Sequence, residues 1–130
     1  MPIDHVKLPV TDLAVSRAFY TEALAPFGLK LVYDGEASLG FGTGDGGDDD
    51  EPFALQLEEA SPSRTHVAFT ASSPAQVDEF HAAALAAGGR DNGPPGDRPY
   101  GGSYYAAFVL DPDGHNVEAV YHGPEARRTS

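Results

Sequence analysis

Two histidines stand in matching contexts in this chain. His5 lies in IDHVKL (3–8) and His66 in RTHVAF (64–69), each followed by valine inside a short strand-like run. A strand sends alternate side chains to opposite faces. On the first run Val6, Leu8 and Val10 form the apolar set, with His5 and Lys7 opposite; on FALQLE, Phe53, Leu55 and Leu57 oppose Ala54, Gln56 and Glu58. From residue 66 onward Val67 and Phe69 oppose His66, Ala68 and Thr70, and at the end Val117, Ala119 and Tyr121 oppose Asn116, Glu118, Val120 and His122. His5, Gln56, His66 and Glu118 therefore fall on faces turned away from the apolar side. Two imidazole nitrogens, one carboxylate and one amide oxygen, with positions left open, are a donor set for a divalent ion. The chain has no cysteine, so a thiolate site is excluded and any metal must be held by His, Asp, Glu or Gln. Taken singly, each of the four is compatible with a strand face that meets water. An internal repeat groups them.

His66 follows His5 by 61 residues, and that offset also aligns Val6 with Val67, Asp12 with Ser73, Ala14 with Ala75, Phe19 with Phe80, Ala23 with Ala84, Leu24 with Leu85 and Gly28 with Gly89. Coincidence across a strand, a helix start, a helix face and a helix stop predicts two copies of one unit. Asp12 or Thr11 caps a first helix, LAVSRAFYTEALA, and Ser73-Pro74-Ala75-Gln76 is a capping box with proline at the first helical position. Val77, Phe80, Ala84 and Leu85 form the apolar stripe of the second helix, and Gly28 and Gly88-Gly89 suit the residue that closes each helix. Strand-like runs follow: LKLVYD, ASLGFG and FALQLE in the first half; a weaker GRDNG, then YYAAFVL and HNVEAVY in the second. Asp111-Pro112-Asp113-Gly114 carries the residues of a type I turn and predicts a hairpin. Each half reads β-α-β-β-β, and Gln56 is matched to Glu118, 62 residues on, after one insertion. The acidic stretch GTGDGGDDDEP (42–52) lacks the spacing of an EF-hand and reads as a solvated loop; NGPPGDRPYGGS (92–103) reads as a connection able to act as a lid; PEARRTS reads as a tail.

The bulk properties bound the partners. The 130 residues fit one domain, and 41% hydrophobic with 22% charged residues is an ordinary globular composition. A formal net charge of −12 argues against a nucleic-acid partner, since phosphate binding needs a basic face. No run approaches the ~18 apolar residues of a membrane helix. MPIDHVKLPV lacks a basic segment followed by an apolar one. The expected setting is cytoplasmic, with a small-molecule substrate, no nucleic acid and no membrane.

Three stretches, IDHVKLPVTDLAVSRAFYTEAL, THVAF and AAFVLDPDGHNVEAV, together resemble the vicinal oxygen chelate superfamily, which includes glyoxalase I, bleomycin- and fosfomycin-resistance proteins and extradiol dioxygenases. The resemblance runs from about residue 3 to 122. It implies an α+β fold: one glyoxalase-like domain over 1–130, built of two βαβββ modules (2–58 and 64–122) joined by a short linker, whose sheets curl into a mixed sheet around a cavity. It implies a homodimer, with metal shells that in several relatives draw on both chains. Carried onto matching positions, the metal ligands are His5, Gln56, His66 and Glu118. Glutamine in place of the family's more usual glutamate at 56 leaves one carboxylate, which puts a two-carboxylate isomerase mechanism in doubt.

The resemblance then implies a divalent-metal-dependent enzyme (zinc, nickel, manganese or iron) on a small substrate that chelates the ion through two neighbouring oxygens. In a glyoxalase-type lyase or isomerase reaction Glu118 is the general base; in a dioxygenase-type reaction the two histidines and Glu118 suffice, with iron. Tyr104 or Tyr105 would act as acid or hydrogen-bond donor, with Tyr105 the candidate catalytic residue and Tyr104 a substrate contact. Lys7, Arg98 and Tyr100 are further substrate contacts, Arg98 and Tyr100 toward an anionic group. Against this stands a binding protein without chemistry, as in bleomycin sequestration. The remaining histidines carry no assigned role: His81 at the surface, His115 beside the turn, His122 near the rim.

Overall fold

The computed structural model describes residues 3–45, 51–60, 64–100 and 102–123. The tail at 124–130, most of the acidic loop and the middle of the linker lie outside them. The chain runs β1 (Val6–Val10), α1 (Leu13–Ala23), a 3-10 turn (Ala25–Phe27), β2 (Lys30–Asp34), β3 (Ser38–Gly42) and β4 (Phe53–Leu57), then β5 (His66–Thr70), α2 (Pro74–Ala86), β6 (Arg90–Asp97), β7 (Tyr105–Leu110) and β8 (Asn116–Tyr121). This is β-α-β-β-β twice, in an α+β fold. Asp12 caps α1 by accepting the Val15 N–H, and Ser73 caps α2 by accepting that of Gln76. The Gln76 side chain reaches back to the Ser72 N–H at 2.7 Å, so this helix start is fastened from both directions.

Each module forms a four-stranded mixed sheet, in the orders β1-β4-β3-β2 and β5-β8-β7-β6. Strands β1 and β5 pair in parallel with the last strand of their own module and are the outermost strands of their sheets. The two expected βαβββ modules are thus present, each with its own sheet.

The helix-covered faces of the two sheets share one core. Phe53 of β4 meets Phe69 of β5 edge-on at 5.2 Å, Phe27 stacks on Phe69 at 5.5 Å, and Tyr20 lies 5.1 Å from Phe53. Leu8, Val10, Phe19, Tyr20, Phe41, Leu55, Val77, Phe80, Val109 and Val117 are all buried in this core. Apolar burial of about 25 cal/mol per Å2 drives the join. The polar faces of both sheets turn outward from it.

The β7–β8 turn locks one module to the other. The Asp111 carbonyl accepts the Gly114 N–H at 2.9 Å, and Gly114 holds φ at 87°, which a side chain would resist. Asp113 receives both the hydroxyl and the N–H of Thr11, and Asp111 takes the Tyr20 hydroxyl at 2.5 Å. His115, beside the turn as the sequence places it, is fully buried: its Nδ1 accepts the Thr65 N–H at 2.9 Å and its Nε2 donates to the Pro9 carbonyl at 2.7 Å. Burial removes water as a competitor, so these bonds hold the modules in one body.

Two further expectations change. Residues 94–97 belong to β6 despite Pro94-Pro95. Strand β6 is outermost and its pairing with β7 shifts at Asp91/Gly93 and Gly93/Gly96, and an edge strand with bulges tolerates residues that lack an N–H. His81 is half-buried and bonds Asp91 at 2.9 Å, a contact that holds the Asp91 carboxyl below its ordinary value.

Candidate functional site

The second sheet brings three polar side chains together. His66 is the first residue of β5 and Glu118 the third of β8. Ala68 lies opposite Glu118, so the imidazole and the carboxylate stand diagonally on one face. His66 Nε2 donates to Glu118 Oε1 at 2.8 Å. Phe108 of β7 is also opposite Glu118, and Tyr104, four residues earlier, shares its face. The Tyr104 hydroxyl donates to Glu118 Oε2 at 2.5 Å. Glu118 is only 1% exposed, whereas the His66 side chain is 54% exposed. Burial and the bond to Glu118 push the Tyr104 hydroxyl up to about 12, so Tyr104 is a proton-bearing donor throughout the neutral range.

Aromatic groups wall this cluster. Tyr104 meets Tyr100 edge-on at 4.9 Å and His122 edge-on at 5.1 Å, and Phe108 lies 6.2 Å from the His66 ring. Arg98 lays its guanidinium 5.4 Å from the centre of the Phe108 ring and donates to the carbonyls of Gly96 and Pro94. Those carbonyls belong to the bulged part of β6, so Arg98 straps that strand to the aromatic wall.

The other expected residues stand elsewhere. The Tyr105 hydroxyl donates to Asp78 of α2 at 2.7 Å, on the face opposite Glu118. His5 bonds its neighbour Asp4 at 2.8 Å and is exposed, as is Lys7 on the same face. Gln56 donates from Nε2 to the Ala37 carbonyl at 3.3 Å. The four expected ligands are thus split between the two outward faces, and among the described residues no group of three or more His, Asp or Glu side chains converges.

The strand registers also correct the pairing of Gln56 with Glu118. Val6 lies opposite Phe53, and its counterpart Val67 lies opposite Val117. The residue answering to Glu118 in the first sheet is therefore Ala54, and Gln56 answers to Val120. An offset of 61 holds over the first strand and helix, but it is 64 on the last strand, because the loops between differ in length. Gln56 keeps to the same face as Ala54, two residues farther along, which is about 7 Å.

The His66–Glu118 pair fits a divalent ion. On an octahedral ion, nitrogen and oxygen ligands bound at about 2.1 Å on neighbouring positions lie about 3 Å apart, close to the 2.8 Å between these atoms. The proton shared by Nε2 and Oε1 occupies the place between two donors that a cation would take. A carboxylate this deeply buried also calls for a positive partner.

Sequence reading missed two contributors. Phe108 was visible only as a strand apolar residue, although its spacing from Tyr104 sets the phase of that strand. His115 carried no signal, because its partners are backbone groups distant in the chain.

Comparison with known proteins agrees with the architecture. A search of curated proteins finds no match. Among solved structures, the chain is similar to a glyoxalase/bleomycin resistance protein from Albidiferax ferrireducens, with 30% identity, a TM-score of 0.78, and coverage of 92% of this chain and 98% of that one. It shares its fold with fosfomycin resistance protein FosX from Mesorhizobium loti, at 21% identity, TM-score 0.67 and 97% and 95% coverage. It also shares it with lactoylglutathione lyase from Agrobacterium tumefaciens, at 22% identity, TM-score 0.65 and 92% coverage of each chain. Residues 2–119 match a family model. With two βαβββ modules, outward polar faces and that match over most of its length, the chain belongs to the Glyoxalase/Bleomycin resistance protein/Dioxygenase superfamily.

Proposed function

We propose that the chain is a divalent-metal-dependent enzyme acting on a small substrate with two neighbouring oxygen atoms, and that its complete site forms between two copies. The observation that carries this reading is the buried Glu118 carboxylate, 2.8 Å from the exposed imidazole of His66. His5, His66 and Glu118 supply two nitrogens and a carboxylate. Gln56 is the first-module oxygen donor named by the resemblance. In a homodimer the first-module face of one copy meets the second-module face of the other. The outward polar faces and the outermost positions of β1 and β5 support that arrangement.

His5, His66 and Glu118 would hold a divalent ion that, when bound, would supply Lewis acidity to the substrate. Glu118 accepts a proton from the substrate in a lyase or isomerase reaction, because among the described residues it is the carboxylate buried beside His66 on the second-sheet face. The Tyr104 hydroxyl donates a hydrogen bond to Glu118 and keeps it pointed at His66. Tyr100, Phe108 and His122 offer the substrate an aromatic wall beside Tyr104. Arg98 is committed to the Gly96 and Pro94 carbonyls and orders this wall.

The test is metal uptake. The purified protein should bind about one divalent ion per chain, and His66→Ala and Glu118→Ala should each weaken binding by ten- to a hundredfold or more. A protein that takes up no zinc, nickel, manganese, cobalt or iron would leave a ligand-binding role instead.

A further inference from the structure

The first sheet carries a carboxylate that no strand pattern reveals. Gly40 of β3 lies opposite Ala54, and Ala54 lies opposite Lys7, so these residues share the outward face on which His5 stands. A Cβ built on Gly40 would fall 2.5 Å from the carboxyl carbon of Glu51 and 2.6 Å from its Oε2. The Glu51 carboxylate therefore rests directly on the bare backbone of Gly40. Ala54, which answers to Glu118, is 2% exposed although its face turns away from the helices.

The two sheets solve one position differently. In the second, Glu118 of β8 faces Phe108 of β7. In the first, the same two places hold Ala54 and Gly40. Both are small, and the space they leave is filled by the side chain of Glu51, arriving from just before β4. Gln56 lies two residues beyond, with its amide turned to the Ala37 carbonyl.

We propose that Glu51, not Gln56, is the oxygen donor that the first module brings to the metal site, reaching it over Gly40. This rests on the metal reading given above and deepens it. With Glu51 the site holds two carboxylates, one from each module, and their charges offset those of a divalent ion. The substitution of glutamine at 56 then removes no charge from the site.

The test uses the full-length protein and Mn2+, with binding followed by electron paramagnetic resonance or calorimetry, and Co2+ absorption as a report on the ligands. Glu51→Gln is expected to weaken Mn2+ binding about tenfold or more and to alter the Co2+ spectrum, while Gln56→Ala stays within about twofold of wild type. Gly40→Ala keeps the carboxylate but pushes it off the face, and is expected to weaken binding too. Circular dichroism of each variant confirms that the fold persists. Wild-type affinity in Glu51→Gln, or a loss in Gln56→Ala as large as in Glu51→Gln, would overturn the assignment while leaving the metal reading standing. A wild-type protein that binds neither Mn2+ nor Co2+ overturns both.

Discussion

Glu118 is the residue on which the site turns, and both of its oxygens are engaged. His66 takes one and Tyr104 the other. Removing a donor from a buried carboxylate leaves it unsatisfied, at a cost of about 1–3 kcal/mol. Tyr104→Phe should therefore lower the unfolding free energy of the metal-free protein by about that much in urea titration. Tyr105→Phe loses only an exposed bond to Asp78 and should change stability by less than about 1 kcal/mol. Equal losses from the two would contradict the central place of Tyr104. The residues SYY were legible as candidates, but their facing was not. Adjacent residues on a strand point oppositely, and the phase is fixed by Phe108 lying across from Glu118, a pairing between strands that sequence does not display.

At the scale of elements, the long second-module strand β6 departs most from its sequence. Its Gly-Pro-Pro-Gly stretch has the composition of a loop, yet it pairs with β7 through two shifts of register. Arg98 compensates by holding the Pro94 and Gly96 carbonyls and stacking on Phe108. Arg98→Ala is expected to raise amide hydrogen exchange at Gly93, Gly96 and Asp97 and to cost roughly 1–2 kcal/mol of stability. An unchanged exchange pattern with a large loss of substrate affinity alone would instead make Arg98 a direct substrate contact. The helix starts and the β7–β8 turn were readable because capping boxes and Asp-Pro-Asp-Gly act through local geometry. The equivalence of Gln56 with Glu118 was misread because loop lengths between strands are free to differ, so a repeat offset drifts.

At the scale of the whole molecule, the modules are joined by a buried polar latch as well as by the aromatic core. Burial, with the Asp111 carboxylate beside it, holds the Tyr20 hydroxyl well above its ordinary value of 10.0. A raised folded value contributes stability that is fully present below pH 10.0 and is lost as pH rises through the folded value. The stability difference between wild type and Tyr20→Phe should therefore be constant below pH 10 and shrink above it, as measured by denaturant midpoints. A difference independent of alkaline pH would contradict the latch. The two polar faces point outward from the shared core, so dimerisation should complete the site. Mixing His5→Ala with His66→Ala chains, after subunit exchange, should restore about a quarter of wild-type metal sites, since half of the dimers are mixed and each contains one intact site. No restoration in a mixture shown to contain mixed dimers would rule out shared sites. No described helix is long and apolar enough to cross a membrane.

The sequence by itself determined the repeat, the two helices with their caps, most strands and the polar faces that carry His5, His66 and Glu118. These follow from local propensity and from periods of two and about 3.6, which are written along the chain. Tertiary structure alone decided the register of Ala54 against Glu118, the inward side of Tyr104, the burial of His115 and the path of Glu51 over Gly40. Each of these depends on which residues meet across strands and modules, and such meetings are fixed by packing between segments far apart in the chain.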